Sequence, residues 1–305
     1  MGFKECFRKH GIILMEGALG ERLKREFHLQ FDDQLVMAKL IYDPKGREAL
    51  RTLWRQYITI AEERQLPFLA TTPTRRANIE RIKKAGSSDK ILIDNMEFLL
   101  EMKQHCKTEM YAGGLLGCKG DAYTGRGALT TEEARAFHRW QATCLKEAGA
   151  EFLYAGIMPA LPEAVGMAQA LSDTGLPYLI SFTIKRDGRL IDGTSIADAI
   201  ERIDKSTEYH PVCYMTNCVH PSILDQALKR PFNDKQLVRE RFLGIQANTS
   251  PLSYEELDGS LKLYCSTPET FAREMIRLQR EYHLKILGGC CGTDNRHMEA
   301  VASRL

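Results

Sequence analysis

The chain has 305 residues, 44% of them hydrophobic, enough for one large α/β barrel or two ordinary domains. Lys and Arg number 42 against 40 Asp and Glu, a formal net charge of +2 with a pI near 8.0. That balance carries no field favouring nucleic acid or an anionic membrane, no apolar run is long enough to span a bilayer, and the N-terminus lacks the apolar core of a signal peptide. Gly2 alone makes no myristoylation signal, because residue 6 is Cys rather than Ser or Thr. The nine cysteines are an odd, scattered set, so the expectation is a soluble cytoplasmic protein with reduced thiols.

Along the chain, short apolar runs alternate with longer amphipathic ones. The first strand is expected over 12–15, leading into Glu16-Gly17-Ala18-Leu19-Gly20, with a helix over 46–64. A second strand over 68–71 ends in Thr71-Thr72-Pro73-Thr74-Arg75-Arg76, before helices over 74–85 and 89–107. Strands over 110–116, 152–157 and 178–184 follow, with helices over 130–148, 161–173 and 194–203. The last strands, 212–217, 242–247 and 285–287, are followed by helices over 220–229, 267–282 and 294–305. Thr130-Thr131-Glu132-Glu133 and Ser266-Thr267-Pro268-Glu269 carry the capping residue, early acids or early proline of a helix start. Strict βα alternation implies a parallel sheet. Eight such units over residues 1–305 fit a single (β/α)₈ TIM barrel domain, with a doubly wound open sheet as the alternative. The connection over 248–265 is the longest after a strand, and in a barrel it overhangs the C-terminal face.

Three cysteines fall at strand ends. Cys218 follows the sixth strand in Thr216-Asn217-Cys218-Val219-His220-Pro221, and Cys290 and Cys291 follow the eighth in Gly288-Gly289-Cys290-Cys291-Gly292. Successive residues of a regular strand face opposite ways, whereas the glycines let the backbone turn both neighbouring thiols toward one point. Strands six and eight flank strand seven, so the three sulfurs can converge over the barrel mouth. Three thiolates suit zinc (Zn²⁺), which favours tetrahedral sulfur ligation and would keep a fourth position open. The other readings are a redox pair, although vicinal disulfides are strained, and packing alone, the role expected of Cys6, Cys106, Cys144 and Cys213. Cys118 and Cys265 stay undecided. His220 reads as a helix-start residue rather than a fourth ligand. Tyr123 and Tyr154 are candidate aromatic walls for a cationic donor, with barrel packing the plainer role for Tyr154.

Taken in order, these motifs resemble the homocysteine S-methyltransferase family over nearly the whole chain. The match rests on Met15-Glu16-Gly17-Ala18-Leu19-Gly20, Tyr123-Thr124-Gly125, Lys146-Glu147-Ala148-Gly149-Ala150, Ser181-Phe182-Thr183, Asp192-Gly193-Thr194-Ser195, Asn217-Cys218 and Gly288-Gly289-Cys290-Cys291-Gly292. The resemblance implies a zinc-dependent barrel in which Cys218, Cys290 and Cys291 are the ligands. It implies methyl transfer from an activated donor to a thiol, homocysteine by default, giving methionine. A metal-held thiol is ionised near neutral pH and attacks as the thiolate, so no acid/base pair is required and none is evident.

The implied substrate residues are Glu16, Gly17, Thr72, Arg75, Tyr123, Gly156, Asn217 and Asn248. Several depart from the family pattern. Glu16 stands where an Asp is usual, Thr72 and Arg75 lie in a stretch where relatives tend to have Asn, Tyr and Gln, and Gly156 occupies the place of a Glu that grips the amino group of homocysteine. A buried ammonium needs a compensating partner. Glu16 or Glu163 is the expected replacement, and Arg75 with Arg76 suits an anion. A different thiol acceptor and a non-catalytic zinc-binding barrel therefore stand as alternatives. The donor is open among betaine, S-methylmethionine, methylfolate and a methyl-corrinoid, the last two with a possible separate carrier protein. A zinc hydrolase is disfavoured by the absence of His and carboxylate ligands at strand ends. A doubly wound S-adenosylmethionine enzyme is disfavoured because no glycine-rich loop follows the first strand.

Overall fold

Short strands of apolar and small residues can close on themselves only if every strand finds two neighbours. Here β1 (Ile13–Met15), β2 (Phe68–Thr71), β3 (Met110–Gly117), β4 (Phe152–Met158), β5 (Tyr178–Phe182), β6 (Cys213–Val219), β7 (Phe242–Ala247) and β8 (Ile286–Gly289) form a closed barrel in sequence order. The computed structural model describes residues 2–252 and 265–305. Pairing of β8 with β1, through Ile13 opposite Ile286, closes the ring and excludes the open-sheet alternative. Residues 253–264 of the long connection after β7 lie outside the described residues.

The helices are α1 (Phe3–Lys9), α2 (Gly20–Arg25), α3 (Pro44–Glu63), α4 (Ile79–Lys84), α5 (Lys90–Gln104) and α6 (Thr131–Glu147), then α7 (Leu161–Ser172), α8 (Ile196–Ser206), α9 (Pro221–Leu228), α10 (Gln236–Arg241), α11 (Pro268–Tyr282) and α12 (Asn295–Ala302). Two helix starts behave as their sequences imply: Thr130 and Glu133 form a reciprocal capping box, and Thr267 caps α11 ahead of Pro268. The helix expected from residue 74 begins only at Ile79, because residues 72–77 turn and Asn78 supplies the cap, accepting from Arg81 N. The strand expected to reach residue 184 stops at Phe182, and Ile184 instead pairs antiparallel with Leu190 in the loop. None of the described helices is long and apolar enough to cross a membrane.

The core has two layers. Inside the barrel Ile13, Met15, Leu69, Tyr111, Phe152, Tyr154, Leu179, Cys213, Met215 and Ile286 pack together, as strand alternation requires. Helix α1 plugs this inner layer with Phe3 and Phe7; the Phe3 ring centroid lies 4.9 Å from that of Phe152 and 5.7 Å from that of Tyr111. Gly113 makes room for Phe152, since a Cβ there would sit 2.3 Å from the ring. The outer layer, including Trp54, Tyr57 and Phe98, fills the space between strands and helices.

One carboxylate ties these layers together. Glu16 is buried; its Oε1 accepts from the Thr71 backbone N–H (2.9 Å) and hydroxyl (2.7 Å), and its Oε2 accepts from Trp54 Nε1 on α3 (2.6 Å). Burial raises its pKa to about 7 from the usual 4.5, against the opposing pull of the Thr71 and Trp54 bonds. The folded state therefore holds a proton that the unfolded chain releases near pH 4.5. Stability from this group is full below that pH and is lost as pH rises toward 7. Between pH 4.5 and 8 the loss should approach about 3 kcal/mol. Glu16→Gln should flatten this part of the pH profile, whatever its absolute stability. Denaturant unfolding at several pH values checks this, and equal slopes for both proteins would refute the assignment.

Candidate metal centre

A regular strand cannot aim Cys218 where Asn217 also points inward. The structure solves this with a bulge. The β6–β7 register shifts between Asn217 and Val219, and Cys218 takes a φ of 63°, the left-handed region that costs a non-glycine residue about 1–2 kcal/mol. A second irregularity faces it on β4, where the register with β5 shifts between Ala155 and Met158 and Ile157 has a φ of 48°. Asn217 joins the two. Its Oδ1 accepts from Ile157 N–H (3.0 Å) and from the Ser181 hydroxyl on β5 (2.6 Å). Asn217 thus holds three strand ends in register.

The other two sulfurs come from the turn after β8. Gly288 sits where a Cβ would be 2.9 Å from the Met15 Cβ and the Gln246 Cγ, so strands one and seven close over it. Cys290 N–H donates to Ala247 O (2.7 Å), and the Thr293 hydroxyl donates to Cys290 O (2.7 Å). Gly292 turns with a φ of 80° and donates its N–H to the Glu21 carboxylate. These bonds leave the sulfurs facing Cys218. Cys218 Sγ is 2.6 Å from Cys290 Sγ and 3.7 Å from Cys291 Sγ, and the three lie within 4.8 Å of one another. The 3.7 Å separation is close to the edge of a tetrahedron of sulfurs about 2.3 Å from a central ion, and the 2.6 Å pair would have to open by about 1 Å to match it. Three soft donors from two strand ends fit a thiophilic cation.

The electrostatics agree. Hydrogen bonds from the Cys290 and Cys291 thiols, and from the Tyr123 hydroxyl, hold Cys218 well below the usual thiol range. The two donor thiols are pushed up in return, and the negative charge on Cys218 together with burial pushes the Tyr123 phenol up. The loop after β3 thus brings Tyr123 to the sulfurs. Asn248 also belongs to the site: its Nδ2 donates to Cys218 O (3.1 Å), and its Oδ1 is buried with no partner among the described residues.

The remaining candidates lie elsewhere around the mouth. Gly17 sits against Tyr57, whose ring would be 2.7 Å from a Cβ there. The Thr72 hydroxyl bonds Thr74 Oγ1 (2.7 Å) and accepts from Leu115 N (3.2 Å), so it extends the β2–β3 edge. Arg75 crosses Gly117, its Cγ 2.5 Å from where a Cβ would stand, and Gly117 pairs with Gly156. Glu16 and Glu163, the acids expected to replace a glutamate at Gly156, are both engaged. Glu163 is buried against His138 Nε2 (3.0 Å) and accepts from Lys119 N–H (2.7 Å). His220 caps α9 and bonds Ser222, the helix-start role expected of it. The Tyr154 hydroxyl donates to Gln246 inside the barrel (2.8 Å). Cys118 is a packing residue, its thiol pushed up to about 12 by burial, whereas Cys265 is exposed, its sulfur 3.4 Å from Gly292 O. Trp54 carried no mark in the sequence beyond an indole that must pair when buried. Ser181 and Thr183 stood in a family motif without a role; Ser181 bonds Asn217, and the buried Thr183 hydroxyl has no partner among the described residues.

Comparison with known proteins gives one consistent answer. The chain is 22% identical to homocysteine S-methyltransferase YbgG of Bacillus subtilis (strain 168), over 96% of this chain and 94% of that protein. Two crystal structures of the homocysteine methyltransferase MmuM from Escherichia coli share the fold. The metallated form has a TM-score of 0.78 at 19% identity, covering 99% of both chains. The oxidized form has a TM-score of 0.79 at 20% identity, covering 98% of this chain and 97% of that one. The sequence profile of homocysteine S-methyltransferases matches residues 13–305, from the first strand of the barrel to the last residue, and the chain is therefore a member of the homocysteine S-methyltransferase family.

Proposed function

We propose that this S-methyltransferase is zinc-dependent, with Cys218, Cys290 and Cys291 as ligands and a small thiol as acceptor. The observation that carries the reading is the convergence of three sulfurs from β6 and the β8 turn. A bound zinc would keep the acceptor sulfur ionised near neutral pH, as the attacking thiolate. The chain's own residues do the rest. Asn217 holds the bulges that aim Cys218, Asn248 fixes the Cys218 carbonyl, and Tyr123 covers the sulfurs from the β3 loop. The apolar barrel beneath excludes water, and holding thiol and donor in line can supply several kcal/mol without an acid/base pair. The methyl donor is an activated small molecule, or a methyl carried by a separate protein. The free thiols suit a cytoplasmic setting, and methionine is the product where homocysteine is the acceptor.

The acceptor's far end is where this chain departs from the family. We place an anionic group of the acceptor at Arg75. The guanidinium has no hydrogen bond or ion pair among the described residues, while nearby acids are spent on backbone and side-chain donors: Glu16 on Thr71 and Trp54, Glu163 on Lys119, Asp121 on Tyr123 and Thr124 N–H. Beside Gly156 stands Leu115, its Cδ1 2.9 Å from where a Cβ would sit. This corner offers a carboxylate a partner and offers an ammonium none.

Two outcomes follow. Cys218→Ser and Cys290→Ser should each weaken zinc binding by at least about tenfold and abolish methyl transfer. Competition with a chromogenic chelator measures this, and unchanged affinity in both would sink the metal assignment. With zinc-loaded enzyme, 4-mercaptobutanoate should bind at least as tightly as homocysteine, and Arg75→Gln should weaken it about tenfold while sparing zinc affinity. A clear calorimetric preference for homocysteine, unmoved by Arg75→Gln, would return the acceptor to the family default.

A further inference from the structure

The far end of the barrel holds a second group of metal-ligating side chains that methyl transfer does not use. Cys6 lies on the buried side of α1, His10 follows the end of that helix, and Glu109 immediately precedes β3. One donor atom from each lies within 4.8 Å of the others. His10 Nε2 is buried and has no hydrogen-bond partner among the described residues; it stands 3.6 Å from Glu109 Oε1, beyond hydrogen-bond reach. The backbone fixes this approach, because His10 N–H donates to Cys6 O (2.9 Å) and closes the helix with both side chains on one side. The other Glu109 oxygen accepts from the Tyr111 hydroxyl (3.3 Å), which orients the carboxylate.

Cys6 hydrogen-bonds Glu109 and Tyr111, whereas His10 stands off from Glu109 with a ring nitrogen left over. Ligands about 2.0–2.3 Å from a tetrahedral ion are separated from one another by about 3.3–3.8 Å, which matches the 3.6 Å gap. We propose that Cys6 Sγ, His10 Nε2 and Glu109 Oε1 form a second metal site, structural in role and selective for a zinc-class cation. One thiol, one imidazole and one carboxylate suit Zn²⁺ or Co²⁺ and offer too few oxygens for Ca²⁺ or Mg²⁺. On binding, the Cys6 S–H bond breaks, the sulfur–metal bond forms, and the proton passes to solvent. Because the thiol must give up its proton, the site binds less tightly as pH falls. The consequence is mechanical. The ion would staple the α1 plug, with Phe3 and Phe7, to the start of β3, and would stabilise the fold by mass action.

The test separates this site from the sulfurs at the mouth. The full-length Cys218→Ser/Cys290→Ser/Cys291→Ser variant is titrated with Co²⁺. About one equivalent should bind, with a sulfur-to-cobalt charge-transfer band that disappears when Cys6→Ala is added. Absence of metal binding, or a band that survives Cys6→Ala, overturns the proposal. Should the triple variant fold poorly, the wild-type chain serves. It should hold about two zinc ions by native mass spectrometry, and Cys6→Ala or His10→Ala about one, with methyl transfer retained. One zinc in both wild type and Cys6→Ala overturns the second site and leaves the first intact. One zinc in wild type, none in Cys6→Ala and unchanged stoichiometry in Cys290→Ser would overturn the site at the mouth instead.

Discussion

A strand sends neighbouring side chains to opposite faces, and the three sulfurs meet only because the backbone breaks that rule in two places. One break is the glycine-framed turn after β8. The other is the bulge at Cys218, held in a conformation that a cysteine adopts at a cost. Asn217 supports the second break by accepting from Ile157, itself in the left-handed region, and from Ser181. One buried acceptor next to Cys218 therefore holds the strained Ile157 of β4 and the Ser181 hydroxyl of β5. Removing it would free Ile157 and Ser181 from the residue next to Cys218 and loosen the bulge that aims the sulfur. The site's geometry is a property of the barrel rim as a whole, more than of the CC pair.

The same rim explains the local charge. Thiols crowded together in a dry place share protons, and here Cys218 carries the negative charge with Cys290 and Cys291 donating to it. A bound cation would take the place of those shared protons, with Cys218, Cys290 and Cys291 as the residues that would hold it. On the other side of the mouth the balance is reversed. Carboxylates that sequence position would assign to substrate are buried in structural bonds, Glu16 to Trp54 and Thr71 and Glu163 to His138 and Lys119. The half-buried Arg75 is left over the Gly117–Gly156 pair. An acid that a buried indole or backbone N–H already holds loses too much on release to serve an ammonium.

What sequence could and could not reveal follows from the range of each interaction. The eight strands and the capped starts of α6 and α11 were legible because alternation, apolar runs and capping residues are local signals. Cys218, Cys290 and Cys291 could be paired in thought because parallel βα order alone puts strands six and eight on either side of seven. Helix α1 went unseen: at seven residues it has little periodicity, and its burial comes from Phe152 and Tyr111, far along the chain. The Glu16 side chain looked like a ligand group because its donors, Trp54 and Thr71, are distant in sequence. The bulge at Cys218 had no local mark, since nothing in Thr216-Asn217-Cys218-Val219 announces a positive φ.

The two sides of the mouth are coupled through the end of β4, and that limits how each can change. Gly156 immediately precedes Ile157, whose N–H is the one that Asn217 holds. A side chain restored at position 156 would have to displace the end of Leu115 while its neighbour stays in a strained conformation. Displacement of a flexible methyl is cheap, but a shift of the β4 backbone would travel through Asn217 to Cys218. The three-sulfur side therefore tolerates little movement at β4, whereas Arg75, carried on the turn after β2 and lying across Gly117, sits apart from Cys218, Cys290 and Cys291. A barrel built this way can keep its three converging sulfurs fixed while side chains on the opposite rim are exchanged.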